Sequence, residues 1–231
     1  MIISRFGFLE KKSGLSAEEF DKHWKNVHGP LASRLPRLTG YIQNTVVDKS
    51  HFETILPSGE LNLDGIAELQ FRSIEDMNAA IFDSQEAQDV YRDVDFVDDV
   101  KVVVCEKHIV TPIELGDGPY IKRISLLKRL PGVSPEEFRH EWLGLHAELV
   151  SQWDNVLGYV QNLVVDRFHN PGTESVGHDE VPVDGIVEFW FRNKEEASQT
   201  YASEACARTR DHGADFVEQI TPFFVEDRKL V

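Results

Sequence analysis

The apolar positions of the chain first form a short run and then recur at helical spacing. Residues 2–9 are apolar and rich in β-branched side chains, which predicts a strand. Residues 16–19 read Ser-Ala-Glu-Glu, a capping box in which the serine and the second glutamate satisfy free amides at a helix start. The apolar residues that follow predict one helical stripe, formed by Phe20, Trp24, Val27, Leu31 and Leu35.

Residues 36–110 continue this alternation of strands and helices. Residues 41–48 and 66–71 are predicted strands, residues 74–90 a weaker helix, and residues 100–110 a last strand. The order β-α-β-β-α-β predicts a four-stranded antiparallel sheet with two helices on one face. Because the strands have apolar residues on both parities, the other face of the sheet also needs a cover.

The same pattern then occurs a second time. GLSAEEFDKHW at 14–24 returns as GVSPEEFRHEW at 132–142, and GYIQNTVVD at 40–48 returns as GYVQNLVVD at 158–166. DGIAELQFR at 64–72 returns as DGIVEFWFR at 184–192. Each copy has the size of one small domain. We therefore predict repeat 1 at 1–110, a Gly- and Pro-bearing linker at 111–118, and repeat 2 at 119–231.

The uncovered face of each predicted sheet indicates how the repeats assemble. The economical cover is the sheet of the other copy, packed face to face, as in a two-fold homodimer joined into one chain. We expect an α+β fold in which two ferredoxin-like βαββαβ repeats pack sheet to sheet as an intramolecular dimeric α+β barrel. Further association into a homodimer stays open.

Composition and charge narrow the classes of function. The chain has 24 Lys and Arg against 40 Asp and Glu, a formal net charge of -16, which disfavours nucleic acid and anionic membranes as partners. No apolar run approaches the ~20 residues of a membrane span, and the early charge of Arg5 argues against a secretory signal. Two cysteines cannot form a disulfide framework. We expect a cytoplasmic protein with a small-molecule substrate.

Four matched residues are the predicted catalytic groups. His28 and His146 are the histidines that match between the copies, and Tyr41 and Tyr159 match at the start of the second strand. An imidazole can move a proton in either direction near neutral pH, and a phenol can donate to an oxyanion. The structural alternatives are a hydrogen bond of the imidazole that closes the helix–strand junction, and a core position for the phenol ring.

A second matched set is predicted to bind substrate: Trp24, Asn44, Asp64 and Glu68, with Trp142, Asn162, Asp184 and Glu188. A lone buried carboxylate has a raised pKa, which suits a general acid or base. For Glu68 the favoured alternative is a cross-strand ion pair with Arg5. Arg123 would serve Glu188 in the same way. Both aspartates precede a glycine and could equally be turn residues.

No metal and no cofactor is predicted. His23 and His28 are five residues apart, so they cannot chelate one ion as an i,i+4 pair can, and His23 is Glu141 in the second copy. Cys105 aligns with Val225, so the copies share no cysteine nucleophile. The chain contains neither a GxGxxG motif nor a P-loop, so nucleotide binding has no support.

The motifs together resemble the EthD family of the dimeric α+β barrel group. They are GLSAEEFDKHWKNVHGPL, LTGYIQN, DGIAELQF and DVDFVDD. The second copy departs from the pattern, because His-Gly-Pro at 28–30 becomes His-Ala-Glu at 146–148. The resemblance implies proton transfer on small, flat, oxygenated molecules, mostly without metal or flavin, in a cavity between sheet and helices. It also implicates the motif histidine, which acts in the related methylmuconolactone methylisomerases.

Two main functions follow as hypotheses. The first is a cofactor-free isomerase, cyclase, dehydratase or lyase acting on an aromatic-derived lactone or polyketide-like acid. His28 would be its acid/base and Tyr41 its oxyanion donor, with His146 and Tyr159 as a second or vestigial copy. The second is an accessory or binding module without turnover, for which we expect a flat profile across pH 5.5–8, around the ~6.5 pKa of histidine.

Two further points concern the site. A third hypothesis, heme or oxygen chemistry as in more distant barrel proteins, requires an axial ligand. The loops at 49–62 and 167–183 barely match each other and are long enough to be functional. We therefore expect the two repeats to have different pockets.

Overall fold

The computed structural model of the protein describes residues 1–169 and 174–231. Its first half contains β1 (Ile2–Lys11), α1 (Ala17–His23), a π-helical turn (Trp24–His28), α2 (Gly29–Ala32), β2 (Gly40–Asp48), β3 (Gly65–Phe71), α3 (Ile74–Ile81), α4 (Gln85–Arg92) and β4 (Val97–Thr111). Its second half contains β5 (Ile121–Arg129), α5 (Pro135–Glu141), a π-helical turn (Trp142–His146), α6 (Ala147–Val150), β6 (Gly158–His169), β7 (Gly185–Phe191), α7 (Lys194–Tyr201), α8 (Glu204–Gly213) and β8 (Val217–Lys229). The two halves have the same order of elements.

The eight strands form one closed antiparallel barrel in the order β1-β3-β2-β8-β5-β7-β6-β4. The α+β class is therefore confirmed. The two sheets are not separate layers that meet face to face, because β2 pairs with β8 and β4 pairs with β6 along both edges. This pairing satisfies the backbone groups that each sheet would otherwise expose at its edges.

Side chains of each strand alternate between the barrel interior and the helix layer outside. The interior is mostly apolar and includes Phe6, Phe8, Ile66, Val103, Ile124, Ile186 and Phe223. Outside the barrel, the helices of each half bury the outward-facing side chains of the strands in the same half. Both faces of the sheets are thus covered, as the two-sided apolar pattern requires.

The predicted helical stripe is wrong at Val27, which is 44% exposed. In the π-helical turn the amide of Gly29 donates to the carbonyl of Trp24, five residues earlier. One extra residue per turn shifts the phase of the side chains. Val27 consequently points to solvent, and His28 takes the inward position that the regular period would give to Val27.

The predicted helix at 74–90 is two helices. α3 ends with Phe82 as its C-cap, and the side chain of Ser84 accepts the amide of Ala87 at the start of α4. Serine side chains favour such caps over helix interiors. The break between the two helices therefore follows from the local cap at Ser84. The apolar spacing over residues 74–90 does not reveal this cap.

Glycines at the start of β3 and β7 allow the helix layer to approach the barrel closely. A Cβ on Gly65 would lie 2.7 Å from Cζ3 of Trp24, and one on Gly185 would lie 2.5 Å from Cη2 of Trp142. Both indole side chains are completely buried. The repeated Asp-Gly motif therefore leaves room for these two rings.

None of the helices in the described residues has both the length and the apolar character needed to cross a lipid bilayer.

Candidate functional site

Each half of the protein has a cavity between its sheet and its helices, where the resemblance implied a site. The repeat 1 cavity has a volume of about 60 Å³ and is lined by residues that include Arg5, Trp24, His28, Tyr41, Tyr91 and Phe96. The repeat 2 cavity has about 120 Å³ and is lined by residues that include Arg123, His146, Trp153, Tyr159, Tyr201 and Cys206. The predicted histidines and tyrosines thus lie together in pairs, one pair in each cavity.

The histidines are placed by the π-helical turns, of which His28 and His146 are the last residues. The carbonyl oxygen of Trp24 in the first turn accepts a hydrogen bond from Nε2 of Gln43 at 2.8 Å. Gln161 makes the equivalent bond in repeat 2 at 2.7 Å. Because buried carbonyl groups need donors, the matched glutamines support the turn that positions each histidine.

His28 is bound to a carboxylate. Its Nδ1 lies 3.1 Å from Oδ2 of Asp93, whose Oδ1 lies 2.9 Å from Nε2 of His23. Burial lowers the pKa of His28, and the negative charge of Asp93 partly opposes that shift. A carboxylate at Nδ1 favours the tautomer that leaves Nε2 free to accept a proton.

His146 lacks such a carboxylate, because Gly213 stands where repeat 1 has Asp93. A Cβ at Gly213 would be 3.4 Å from the imidazole Cε1 of His146. The ring instead lies beside His212, with 3.5 Å between the two Nδ1 atoms. Burial, reinforced by His212, lowers the pKa of His146 to about 3, so this imidazole is neutral at pH 7.

The acid and the imidazole have exchanged places between the repeats. Repeat 1 pairs His23 with Asp93, and repeat 2 pairs Glu141 with His212 at 3.1 Å. Glu141 occupies the position of His23, and His212 precedes the counterpart of Asp93. Repeat 2 thus retains an imidazole–carboxylate pair near its cavity, but the carboxylate no longer contacts the cavity histidine.

The two tyrosines also differ. The hydroxyl of Tyr41 accepts a hydrogen bond from Nε2 of Gln43 at 3.0 Å, and burial raises its pKa to about 12. The hydroxyl of Tyr159 makes no well-aligned hydrogen bond with any described residue, and burial raises its pKa as well. Its ring stacks on Phe189 with centroids 4.6 Å apart. The side chains of Gln161 and Trp142 partly oppose the rise in the pKa of Tyr159, and both tyrosines keep a hydroxyl proton to donate to a ligand.

The predicted ion pairs of Glu68 and Glu188 with arginines are wrong. In the observed register Arg5 lies opposite Leu69, and Glu68 lies opposite Phe6. The two side chains therefore point to opposite faces of the sheet. The same register separates Arg123 from Glu188.

Glu68 and Glu188 point into the barrel, where lysines neutralise them. Nζ of Lys107 lies 2.7 Å from Glu68 and 3.4 Å from Glu188, and Nζ of Lys122 lies 2.7 Å from Glu188. Burial alone would raise the pKa of Glu188, but Lys107 and Lys122 together lower it. These predicted substrate-binding residues form a core ion network on the opposite side of the sheet from the cavities.

Asn44 and Asn162 belong to the same interior network. Oδ1 of Asn44 accepts from Lys122 at 2.9 Å, and Nδ2 of Asn162 donates to Glu188 at 2.9 Å. Because they share the parity of Ile42 and Val160 rather than that of the cavity tyrosines, the structure does not bring either asparagine to a cavity histidine.

The remaining predicted residues divide between turns and core. Asp64 accepts the amide of Lys11 at 2.9 Å, and Asp184 accepts the amide of Arg129 at 2.9 Å, so both fasten strand ends outside the cavities. Trp24 lines the repeat 1 cavity, whereas Trp142 does not border the repeat 2 cavity.

Sequence reasoning missed Arg123 as a cavity residue. Its side chain lies on the helix face of β5 and is only 4% exposed. The guanidinium contacts the hydroxyl of Tyr201, Oγ1 of Thr54 at 2.5 Å and the carbonyl of Phe52 at 3.3 Å. The available signal is the match of Arg123 with Arg5 between apolar neighbours. The sequence analysis uses this match to predict an ion pair of Arg123 with Glu188.

The described residues offer neither a cluster of metal ligands nor a reactive thiol in the cavities. Among the described residues, no group of three or more His, Cys, Asp or Glu side chains could bind a metal ion. Cys206 lines the repeat 2 cavity, but burial raises its pKa to about 11, so its thiol stays protonated at neutral pH. It adds to the apolar lining.

Comparison of sequences gives one family match. The EthD domain matches the chain twice, over residues 12–99 and 130–220, which together span well over half of it. No curated protein gives a significant match.

Several solved structures share the fold. An anthrone oxidase-like protein superposes with a TM-score of 0.65 at 11% identity, covering 99% of this chain and 92% of its own. A candidate monooxygenase from Lactobacillus acidophilus gives 0.58 at 10% identity, covering 100% and 96%. A candidate monooxygenase from Fusobacterium nucleatum gives 0.57 at 8% identity, covering 99% and 93%. At such identities the likeness concerns the fold alone.

Proposed function

Because the chain belongs to the EthD family, with one domain match in each repeat, we propose that it is an enzyme of small-molecule metabolism that works by proton transfer. The proposed reaction is an isomerisation, cyclisation, dehydration or elimination on an aromatic-derived lactone or acid, without a bound cofactor. The proposed active site is the repeat 2 cavity. The observation behind it is that one apolar cavity contains a neutral imidazole, His146, and the phenol of Tyr159, whose hydroxyl makes no well-aligned hydrogen bond with any described residue.

The size of the cavity favours a small ring. An apolar cavity of roughly 150 Å³ accommodates benzene, so the repeat 2 cavity of about 120 Å³ suits a single ring after modest adjustment. Trp153 and Phe189 stack at 5.3 Å and form a flat wall along it. The repeat 1 cavity, at about 60 Å³, has half the volume of the repeat 2 cavity. The proposal thus differs in emphasis from the sequence-based expectation, in which His28 is the acid/base and His146 belongs to a second or vestigial copy.

The proposed chemistry uses the two groups in turn. His146 accepts a proton from a carbon next to a carbonyl group. The electron pair of that C–H bond forms a carbon–carbon double bond, and the π electron pair of the carbonyl group moves to its oxygen. Tyr159 donates a hydrogen bond to the developing oxyanion, which is worth more in a water-poor cavity than in water. The imidazolium then returns the proton to another carbon, or to a departing hydroxyl group that leaves as water.

A second candidate is a binding or accessory protein without turnover. The observation that favours it is the pKa of His146, about 3, because general bases are most effective when their pKa is near the working pH. The enzyme and the binding protein differ in whether an anionic ligand changes the pKa of His146 enough for proton transfer. A negative charge in the cavity would raise the pKa of His146 and bring it toward the useful range.

The architecture proposed for this function is an intramolecular two-fold dimer. Each half has the strand order β4-β1-β3-β2 or its repeat 2 counterpart β8-β5-β7-β6, which supports two ferredoxin-like units with boundaries at 1–110, 111–118 and 119–231. Two-fold assembly of this kind is common between separate chains. Here it produces two unequal cavities, because each repeat has diverged separately.

Turnover of aromatic-derived lactones and acids by matched histidine variants tests the proposal. His146→Gln should lower kcat/KM at least 100-fold on the best substrate, since general base catalysis contributes about 10²–10⁴-fold. His28→Gln is the matched control and should lower it less than threefold. Equal losses in both variants, or turnover that His146→Gln leaves intact, would contradict the assignment.

A further inference from the structure

The repeat 2 cavity contains a buried guanidinium, that of Arg123, which has no carboxylate partner among the described residues. The three groups that Arg123 contacts, the hydroxyl of Tyr201, the hydroxyl of Thr54 and the carbonyl of Phe52, are all neutral. Its Nε is buried and makes no hydrogen bond with any described residue. Buried charges in proteins are normally paired, because an unpaired one loses its hydration without compensation.

The charges around the cavity do not supply the missing anion. Glu53 lines the cavity and its negative charge acts on Tyr201 and Cys206, but its side chain is exposed and its Oε1 accepts a hydrogen bond from Oγ of Ser198 at 3.0 Å. Arg210, also on the lining, adds a second positive charge. Glu188 lies on the other face of the sheet. The cavity therefore combines a mostly apolar lining with two arginines and one exposed carboxylate.

We propose that Arg123 binds the carboxylate group of the ligand, so that the repeat 2 cavity takes a single-ring carboxylic acid as its anion. The carboxylate would meet the guanidinium through the free Nε and an adjacent Nη, the paired geometry that guanidinium groups favour. The ring would lie along Trp153 and Phe189. This proposal specifies the substrate class of the proposed active site, but it needs no turnover.

We use the term anchor for the guanidinium of Arg123 together with Thr54 and Phe52, which bind it. The anchor is assembled from both repeats. Thr54 and Phe52 belong to the loop after β2 of repeat 1, yet they bind Arg123 of repeat 2. Glu53 between them has a φ of 52°, a left-handed conformation that is uncommon for a residue with a side chain. This segment fixes the plane of the guanidinium before a ligand arrives, which reduces the entropy lost on binding.

Equilibrium binding of benzoate and of benzamide, its uncharged analogue, tests the anchor. The wild-type protein should bind benzoate at least tenfold more tightly than benzamide by calorimetry. In NMR spectra, the Nε–H signal of Arg123 should shift with benzoate and not with benzamide. Arg123→Gln should weaken benzoate binding at least tenfold and change benzamide binding less than threefold. Arg208→Gln, an exposed arginine of α8, is the control and should change neither.

Arg123→Lys provides a second variant if the glutamine variant does not fold. It retains the charge and should still prefer benzoate, although less strongly because lysine cannot form the paired contact. Equal affinity of the wild type for the two compounds, no saturable benzoate binding, or unchanged benzoate binding in Arg123→Gln would each overturn the proposal.

The anchor and the proposed function fail separately. If benzoate is not preferred while His146→Gln still abolishes turnover, the anchor is wrong and the proton-transfer function stands. If benzoate is preferred in the manner expected but His146→Gln leaves turnover intact, the anchor stands and the proton-transfer function is wrong.

Discussion

A single exchange, Asp93 in repeat 1 for Gly213 in repeat 2, changes the chemistry of the matched histidines. His28 has a carboxylate at Nδ1, whereas His146 has only a neighbouring imidazole and is neutral down to a pH of about 3. A flat profile across pH 5.5–8 was expected to identify a binding module. Because free His146 does not titrate in that range, such a profile of kcat/KM would be equally consistent with catalysis in the repeat 2 cavity.

The depressed pKa of His146 predicts a pH dependence of stability. An unfolded histidine ionises near ~6.5, so between that pH and about 3 only the unfolded chain takes up the proton. Stability therefore falls as the pH drops through this window. Between pH 7 and 5, the free energy of unfolding should fall about 2 kcal/mol more in the wild type than in His146→Gln.

Urea unfolding of both proteins at the two pH values measures this difference. The ion pair of His212 with Glu141 remains in the variant. An identical pH dependence of the wild type and the variant would show that His146 can be protonated in the folded state near neutral pH.

At the scale of elements, the helix cap could be predicted from neighbouring residues, whereas the change in helical phase at the π-helical turn could not. The capping box at Ser16 forms as predicted, with its side chain and that of Glu19 each accepting an amide. The π-helical turn has no comparable signature, because it depends on Gln43, which lies on a distant strand and satisfies the carbonyl of Trp24. The position of His28 could therefore not be derived from the helical period alone.

Because the helix layer lies so close to the barrel, we expect a single methyl group added at Gly185 to lower the stability of the protein. Gly185→Ala would place a Cβ 2.5 Å from the ring of Trp142, and overpacking of this kind costs about 1–3 kcal/mol. Gly177→Ala is the control, since Gly177 is exposed and no atom of a described residue beyond its chain neighbours lies within 4 Å of such a Cβ. Chemical unfolding compares the two variants, and equal stabilities would contradict the packing described here.

At the scale of the whole molecule, the repeats are joined through the barrel interior as well as along the strand edges. Lys107 of repeat 1 binds Glu188 of repeat 2, and Lys122 of repeat 2 binds Asn44 of repeat 1. The two-sided apolar pattern predicted that the sheets share an interior. It could not predict the strand pairs that close the barrel, β2 with β8 and β4 with β6, or the lysine partners, because both depend on strand register between halves far apart in sequence.

This network predicts a large effect of neutralising one carboxylate. Glu188→Gln leaves the buried ammonium of Lys122 without its anion, and breaking a buried pair in this way costs about 3–5 kcal/mol. Glu218→Gln removes a partly exposed partner of Lys128 and should cost less than ~1 kcal/mol. Denaturant titrations of both variants provide the comparison. A loss for Glu188→Gln no larger than that for Glu218→Gln would mean that the network is not required.

The central claim is that His146 transfers a proton in the repeat 2 cavity, and solvent isotope exchange tests it most directly. In D₂O, NMR follows deuterium incorporation next to the keto group of phenylpyruvate, a single-ring acid with an acidic C–H bond. We predict that the wild type and His28→Gln accelerate exchange at least 100-fold over buffer, and that His146→Gln does not exceed buffer by more than tenfold. Exchange at the wild-type rate in His146→Gln, or none above buffer in the wild type, would contradict the account.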